Sequence, residues 1–193
     1  MTRTVEENKA LIEKYPILLP RNSFTGKVVD GYDYSYTCLD HLPEGWAKAF
    51  GILLFEDIQN EVNTWKKEAR DDFYFCDIKE KFGELRIYPS SMSDKLFEIL
   101  EAYCAISRNV CIVCGKLDVP MVRTGWVSPY CRECALNNKI DSAESYDEVV
   151  KDAPREIVTL LKFEYFSQGK IHPEEIDISS YVKKVREYNA NRD

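Results

Sequence analysis

The feature that most constrains this chain is a pair of C-x2-C steps. Cys111 and Cys114 are followed by sixteen residues and then by Cys131 and Cys134. Two intervening residues let one tight turn present both sulfurs to a single ion, and two such turns supply four donors for a tetrahedral site. Gly115 follows the first pair, where a positive φ lets the chain leave the turn with its N–H groups directed at sulfur. The segment has almost no core of its own, since Val113, Val122, Trp126 and Tyr130 are nearly all it can bury. Metal ligation, worth roughly 10 kcal/mol or more in such modules, would dominate its folding. The expectation is one structural Zn2+ on Cys111, Cys114, Cys131 and Cys134, with no open position for water and hence no hydrolytic role. A short helix is expected to open at Ala135 and run toward Lys139, its N-terminal dipole favouring the thiolates. Three rivals use the same residues: two disulfides, a rubredoxin-like iron site, and a redox pair. The last needs a strand-to-helix junction in a βαβ unit, a context neither pair has.

The remaining cysteines, Cys38, Cys76 and Cys104, are scattered. The N-terminal stretch to Lys14 is charged throughout, without an apolar signal-peptide centre, and no run approaches the roughly 20 apolar residues of a membrane helix. The sequence is therefore read as cytoplasmic, with no membrane partner and with thiols kept reduced. Cys76 and Cys104 are read as small core residues.

The 193 residues suffice for one domain with a sizeable core, or for a domain plus a module. Three regions are expected: an α+β core over 1–107, a four-cysteine zinc knuckle module over 108–139, and a C-terminal helical segment over 140–193. Thr4, with Glu7 three residues on, caps a first helix that Pro16 ends. Tyr32, Tyr34 and Tyr36 alternate with polar residues, a short period-2 segment. Pro43-Glu44-Gly45 reads as a turn. Trp46, Phe50, Leu53, Leu54, Ile58, Val62 and Trp65 then recur at three- and four-residue steps, one apolar stripe on a helix of about six turns. Residues 73–79 and 84–88 read as a β-hairpin with its turn over Lys79–Gly83. Ser93 caps a second long helix carrying Leu96, Leu100, Tyr103 and Ser107. Helix, hairpin and helix predict an α+β layer with both helices on one sheet face. Residues 145–166 read as helical with an interruption near Pro154, Gly169 as a break, and Ile176 to Asn189 as a last helix with a frayed tail beyond it. His172 falls at an expected helix start.

Chemistry outside the cysteines is sparse. Cys38 and His41 have the spacing of a metal half-site but lack a second half, so His41 is read as structural or surface. No nucleophile elbow, phosphate loop or dinucleotide fingerprint occurs. Lys79, Lys81, Arg86 and Tyr88 are expected to gather at one end of the hairpin, where an arginine beside a tyrosine can hold a carboxylate or phosphate. The competing reading is a charged hairpin with ordinary cross-strand salt bridges. Arg123 and Trp126 mark a second candidate surface, with Trp126 expected to pack against the knuckles.

Three stretches together resemble a group of bacterial and bacteriophage proteins: the Gly45-Trp46 helix start, the Lys79-Glu80-Lys81-Phe82-Gly83-Glu84-Leu85-Arg86-Ile87-Tyr88 hairpin, and Ser107 to Cys134 with Gly125-Trp126 before the second cysteine pair. The likeness spans about half the chain and departs at Ile87, where the group more often has an aromatic. It implies a fold and a phage or prophage origin, and carries no activity.

Net charge is −7, divided as −6 over 1–107, +3 over 108–139 and −4 over 140–193. A polyanion would meet repulsion everywhere except at the cysteine segment. The leading expectation is thus a non-enzymatic zinc-containing binding protein for a host protein or a small anionic ligand. One alternative is nucleic-acid binding through Lys116, Arg123, Arg132 and Lys139. A second is an enzyme acting on a phosphorylated small molecule through Lys79, Lys81, Glu84 and Arg86.

Overall fold

The structure, a computed structural model, describes residues 3–124, 126–137, 156–167 and 170–192. Helix α1 (Val5–Lys14) starts as its sequence dictates: Thr4 accepts from the Glu7 N–H and Glu7 accepts from the Thr4 N–H. Pro16 ends it and opens a 3-10 turn over Pro16–Leu18. The three tyrosines that follow do not form the expected extended segment. Tyr34 takes φ 63°, and the Tyr32 ring packs on those of Tyr34 and Tyr36 at 4.9 and 5.6 Å. The Asn8 amide donates to the Tyr34 carbonyl at 2.8 Å, a tertiary bond in the place of strand pairing.

Pro43 caps a helix instead of preceding it by a turn. Helix α2 (Glu44–Trp46) runs without a break through a π-helical segment (Ala47–Gly51) into α3 (Ile52–Asn63). The predicted stripe from Trp46 to Val62 is buried along its length. Trp65 lies just past the end, edge-on to Phe73. After the short α4 (Lys67–Asp71), strands β1 (Phe75–Lys81) and β2 (Glu84–Pro89) pair antiparallel, with Lys79 opposite Arg86 and Asp77 opposite Tyr88. Their connection is tighter than expected. Only Phe82 and Gly83 turn the chain, at φ 55° and 78°, the two positive values a hairpin turn matching strand twist requires. Ser93 caps α5 (Asp94–Ser107) by accepting from the Leu96 N–H, and α5 lies against α3 and β2. A second small hairpin, β3 (Met121–Thr124) and β4 (Trp126–Pro129), leads into α6 (Arg132–Asn137).

The C-terminal region corrects the helical expectation. Leu160–Ser167 (β5) and Lys170–Asp177 (β6) form an antiparallel hairpin, and only Ser179–Ala190 (α7) is helical among its described residues. Aromatic-rich β5 suits a strand, and Lys162 pairs across to Glu175 at 2.9 Å. His172 lies on β6 opposite Tyr165, not at a helix start, and Ile176 is held in the ladder opposite Leu161, which delays α7 to Ser179. The expected helix over 145–155, the break at Gly169 and the side chains of 163–173 lie outside the described residues. Beyond Asn189 the chain is ordered through Arg192, whose N–H donates to the Asn189 carbonyl at 3.1 Å.

One hydrophobic core joins these pieces. Trp46, Phe50, Leu54 and Ile58 meet Leu96, Tyr103 and Ile106 of α5 and Ile178, Val182 and Val185 of the C-terminal region. A polar link crosses the same three helices. Asp57 of α3 accepts from the Tyr103 hydroxyl at 2.7 Å and pairs with Lys184 of α7 at 2.6 Å. Removing it leaves the buried Tyr103 hydroxyl unmatched, while Lys184, partly exposed, keeps only its longer pairing with Glu56 at 3.4 Å. Asp57→Ala is expected to cost about 2 kcal/mol in urea unfolding, and a double-mutant cycle with Lys184→Met should show coupling near 1 kcal/mol; additive losses would refute the link.

Burial also holds two thiols neutral. Cys38 and Cys104 are both pushed up to about 12 from an ordinary value of 9.0, chiefly by desolvation. A raised acid pKa contributes stability that is complete below pH 9 and fades as pH climbs toward 12. The urea midpoint should therefore fall between pH 8 and pH 10.5, and the Cys38→Ala variant should show a shallower decline over that window.

Candidate metal centre

The Sγ atoms of Cys111, Cys114, Cys131 and Cys134 all lie within 4.8 Å of one another. Cys114 and Cys131 approach to 3.7 Å. A tetrahedron with metal–sulfur bonds of about 2.3 Å has edges of about 3.8 Å, so the cage has the right size for one thiophilic divalent ion. The four cysteines are not bonded to one another.

Local chain geometry explains the convergence. In the first knuckle the Gly115 N–H donates to the Cys111 carbonyl at 3.0 Å and the Cys111 N–H to the Lys116 carbonyl at 2.8 Å. Gly115 adopts φ 87°, as its position beside the cysteines predicts. In the second knuckle the helix starts earlier than expected. Helix α6 begins at Arg132, directly after Cys131, so Cys134 lies in its first turn with its N–H 3.5 Å from the Cys131 sulfur. Asn138 and Lys139 lie outside the described residues.

Electrostatics argue for a cation in the cage. Burial opposes the Cys111 thiolate, but backbone N–H groups of Cys114, Cys131 and Val113 outweigh it and hold that thiol below its ordinary value. Cys114 and Cys134 go the other way, raised by burial and by the neighbouring thiols. Four sulfurs packed this closely resist ionising together, and a divalent ion is the group that removes the penalty.

The module is docked at two places. At the first, the Gly45 N–H donates to the Ile112 carbonyl at 2.9 Å, and the fully buried Trp46 indole donates to the Val110 carbonyl at 2.9 Å. A Cβ on Gly45 would lie 2.1 Å from the Cys111 carbonyl oxygen and 2.8 Å from the Gly115 nitrogen. The first knuckle thus sits directly on the backbone that opens α2. At the second, the Phe82 and Trp126 rings stack at 5.0 Å and 23°, and the indole N–H reaches the Glu80 carboxylate at 3.2 Å. A Cβ on Gly83 would strike Met121 Cε at 2.2 Å. Trp126 therefore does not pack against the knuckles as expected. It is 52% exposed and lies on the hairpin tip.

The other candidates are distributed as follows. Lys79, Arg86 and Tyr88 share the outer face of the β1–β2 hairpin. Lys79 pairs with Asp77 and lies 5.2 Å from the centre of the Tyr88 ring. Arg86 pairs with Glu84 and reaches the Cys104 sulfur at 3.5 Å. Lys81 sits near the turn, 5.6 Å from the centre of the Phe82 ring. Arg123 stands opposite Val127 on β3, its side chain outside the described residues. His41 is exposed and edge-on to Tyr36, while Cys38 is buried. Sequence reasoning missed the docking roles of Gly45 and Gly83. The signal was present in glycines beside large aromatics, but the partner surface lies roughly 40 to 70 residues further along the chain.

No protein-family model matches the chain, and no curated protein or solved structure matches it.

The Gly45 contact yields a test. Gly45→Ala raises helix propensity but forces a methyl group into the Cys111 carbonyl. The variant is expected to lose at least about 2 kcal/mol of stability. It should also release its metal to a chromogenic chelator faster than the parent chain; unchanged release would show the contact to be dispensable.

Proposed function

We propose that this chain is a non-enzymatic binding protein, bacterial or bacteriophage in origin, in which the four cysteines hold one structural zinc ion. The observation that carries the reading is the closed sulfur cage: four cysteine donors occupy every corner and leave none for a reacting water. Zinc is the ion proposed because a closed set of four cysteine thiolates is the usual structural zinc site; the same set also accepts iron, which metal analysis distinguishes. The ion then serves to hold a lobe whose own apolar core is small, with Val119 packed beside Cys111 and Cys131 and Val122 also buried.

Two features favour binding over catalysis. Arg86 and Lys79 are matched by Glu84 and Asp77 within the hairpin, so they form no bare catalytic cluster. The exposed Phe82–Trp126 stack offers a contact surface instead, since stacked aromatics half in solvent suit a partner more than a core. The partner class is a protein or a small anionic ligand. A long polyanion is disfavoured, because Lys116 and Arg132 are exposed on the module while the chain around them carries net negative charge.

Metal analysis tests the central claim. The purified chain is expected to carry one zinc and no iron, and strong chelation should lower its melting temperature by at least about 10 °C, as loss of a structural site requires. Substoichiometric zinc, or iron with its visible thiolate absorption, would overturn it. Steeply salt-dependent binding of DNA or RNA would move the reading to nucleic acid.

A further inference from the structure

We propose that a two-part cleft between the first knuckle, the π-helical segment and the end of α7 binds a small amphipathic anion. The ligand is an oxyanion head joined to an apolar body. This deepens the binding-protein reading above and rests on it, by naming a site and a ligand class.

One half of the cleft is a cavity of about 580 Å3 lined by four cationic side chains, Lys48, Lys116, Arg186 and Arg192, with Asn189 and the metal-ligating Cys114 beside them. No carboxylate lines it among the described residues, in a chain whose net charge is −7. The second half, also about 580 Å3, shares Lys48 and Arg192 with the first and is floored by Leu11, Leu39, Leu42, Ile52 and Tyr188. The acids on its rim are already committed. Glu7 accepts from the Thr4 N–H, Asp40 pairs with Arg3, and Glu44 pairs with Lys48. Each half falls within the size range of small-molecule sites. A head in the basic half and a body in the apolar half would both be satisfied by one ligand spanning the Lys48–Arg192 boundary.

The walls are built with unusual backbone. The π-helical turn at Ala47–Gly51 widens the helix where both halves meet, a device that recurs at functional sites. Its carbonyls are held from the end of α7 and the residues just past it: Arg192 donates to the Lys48 carbonyl, and Asn189 to the Ala49 carbonyl at 2.9 Å. This fixes the guanidinium of Arg192 at the boundary, where it also lies 5.4 Å from the centre of the Tyr188 ring.

A plainer role for these cations must be set against this one. Four metal-bound thiolates leave two negative charges on a zinc centre, and Arg186 and Arg192 complement the C-terminal dipole of α7. Arg186 is moreover paired bidentately with Asp118 at 2.7 and 2.8 Å. Lys116 is different. It belongs to no helix, it is exposed, and it has no ion pair among the described residues. The thiolate explanation also gives no reason for an apolar floor adjoining the charges.

The experiment is a thermal-shift and calorimetric titration of the zinc-loaded full chain with inorganic phosphate, phenol, phenyl phosphate and benzoate. The expected result is saturable stabilisation by phenyl phosphate or benzoate that exceeds inorganic phosphate and phenol. The two anionic arms decide whether the head is phosphate or carboxylate. Lys116→Glu and Arg192→Glu should each weaken that binding at least tenfold while retaining one zinc per chain, and the milder Lys116→Gln should weaken it less. A parent chain that carries one zinc but shows no saturable response overturns the cleft and leaves the zinc reading standing. So does binding that the variants leave unchanged. Loss of zinc from the variants, with no ligand response in the parent, assigns the cations to neutralising the thiolates and likewise overturns the proposal.

Discussion

The backbone contact between Gly45 and the first cysteine knuckle holds the molecule's two halves in register. It is made of main-chain atoms, so no side chain on either partner can tune it, and there is no room for one. The Trp46 indole closes the same joint from inside the core by donating to Val110. Everything the cysteine module does depends on this seat. Without it, the lobe would be a short loop with a few buried aliphatics, tethered to the body by α5 and by the stack at Phe82 and Trp126.

The chain thus uses two different sources of stability. The body is held by apolar burial, with Trp46, Tyr103, Phe50 and Phe55 among its fully enclosed side chains. The module has too little apolar surface for that and relies on a sulfur cage. The two meet at glycines, because close packing of one loop on another's backbone excludes a Cβ. The C-terminal helix closes the far side, contributing Tyr181, Val182 and Val185 to the core and Lys184 to the Asp57 seam. Its last residues reach back to the π-helical turn, so the start of the long helix is contacted from the knuckle on one side and from α7 on another.

Several elements were legible in the sequence because their causes are local. Thr4 with Glu7, Ser93 before Leu96, and the three- and four-residue recurrence from Trp46 to Val62 are relations within a helical turn or two. The cysteine cage was legible for the same reason, since each knuckle is a four-residue unit. The errors fell where pairing at a distance decides. Leu160–Ser167 is a strand because Lys170–Asp177 lies beside it, and its mixed apolar and charged pattern alone did not distinguish that from a helix. Tyr34 left its extended pattern because Asn8 claims its carbonyl. The local pattern points Trp126 at the knuckles, since the hairpin tip that receives it lies more than forty residues earlier in the chain.

The sequence by itself determined the four sulfur donors, the two amphipathic helices and the β1–β2 hairpin, all of them set by spacing, capping and turn chemistry over a few residues. Only the tertiary structure decided where the module sits and which surfaces it leaves open. The basic cavity makes the point: Lys48, Lys116, Arg186 and Arg192 are spread over some 145 residues of chain and become neighbours only when α7 folds back beside the first knuckle. Periodicity carries no record of such a meeting, because the energy that produces it comes from burying faces that the sequence lists far apart.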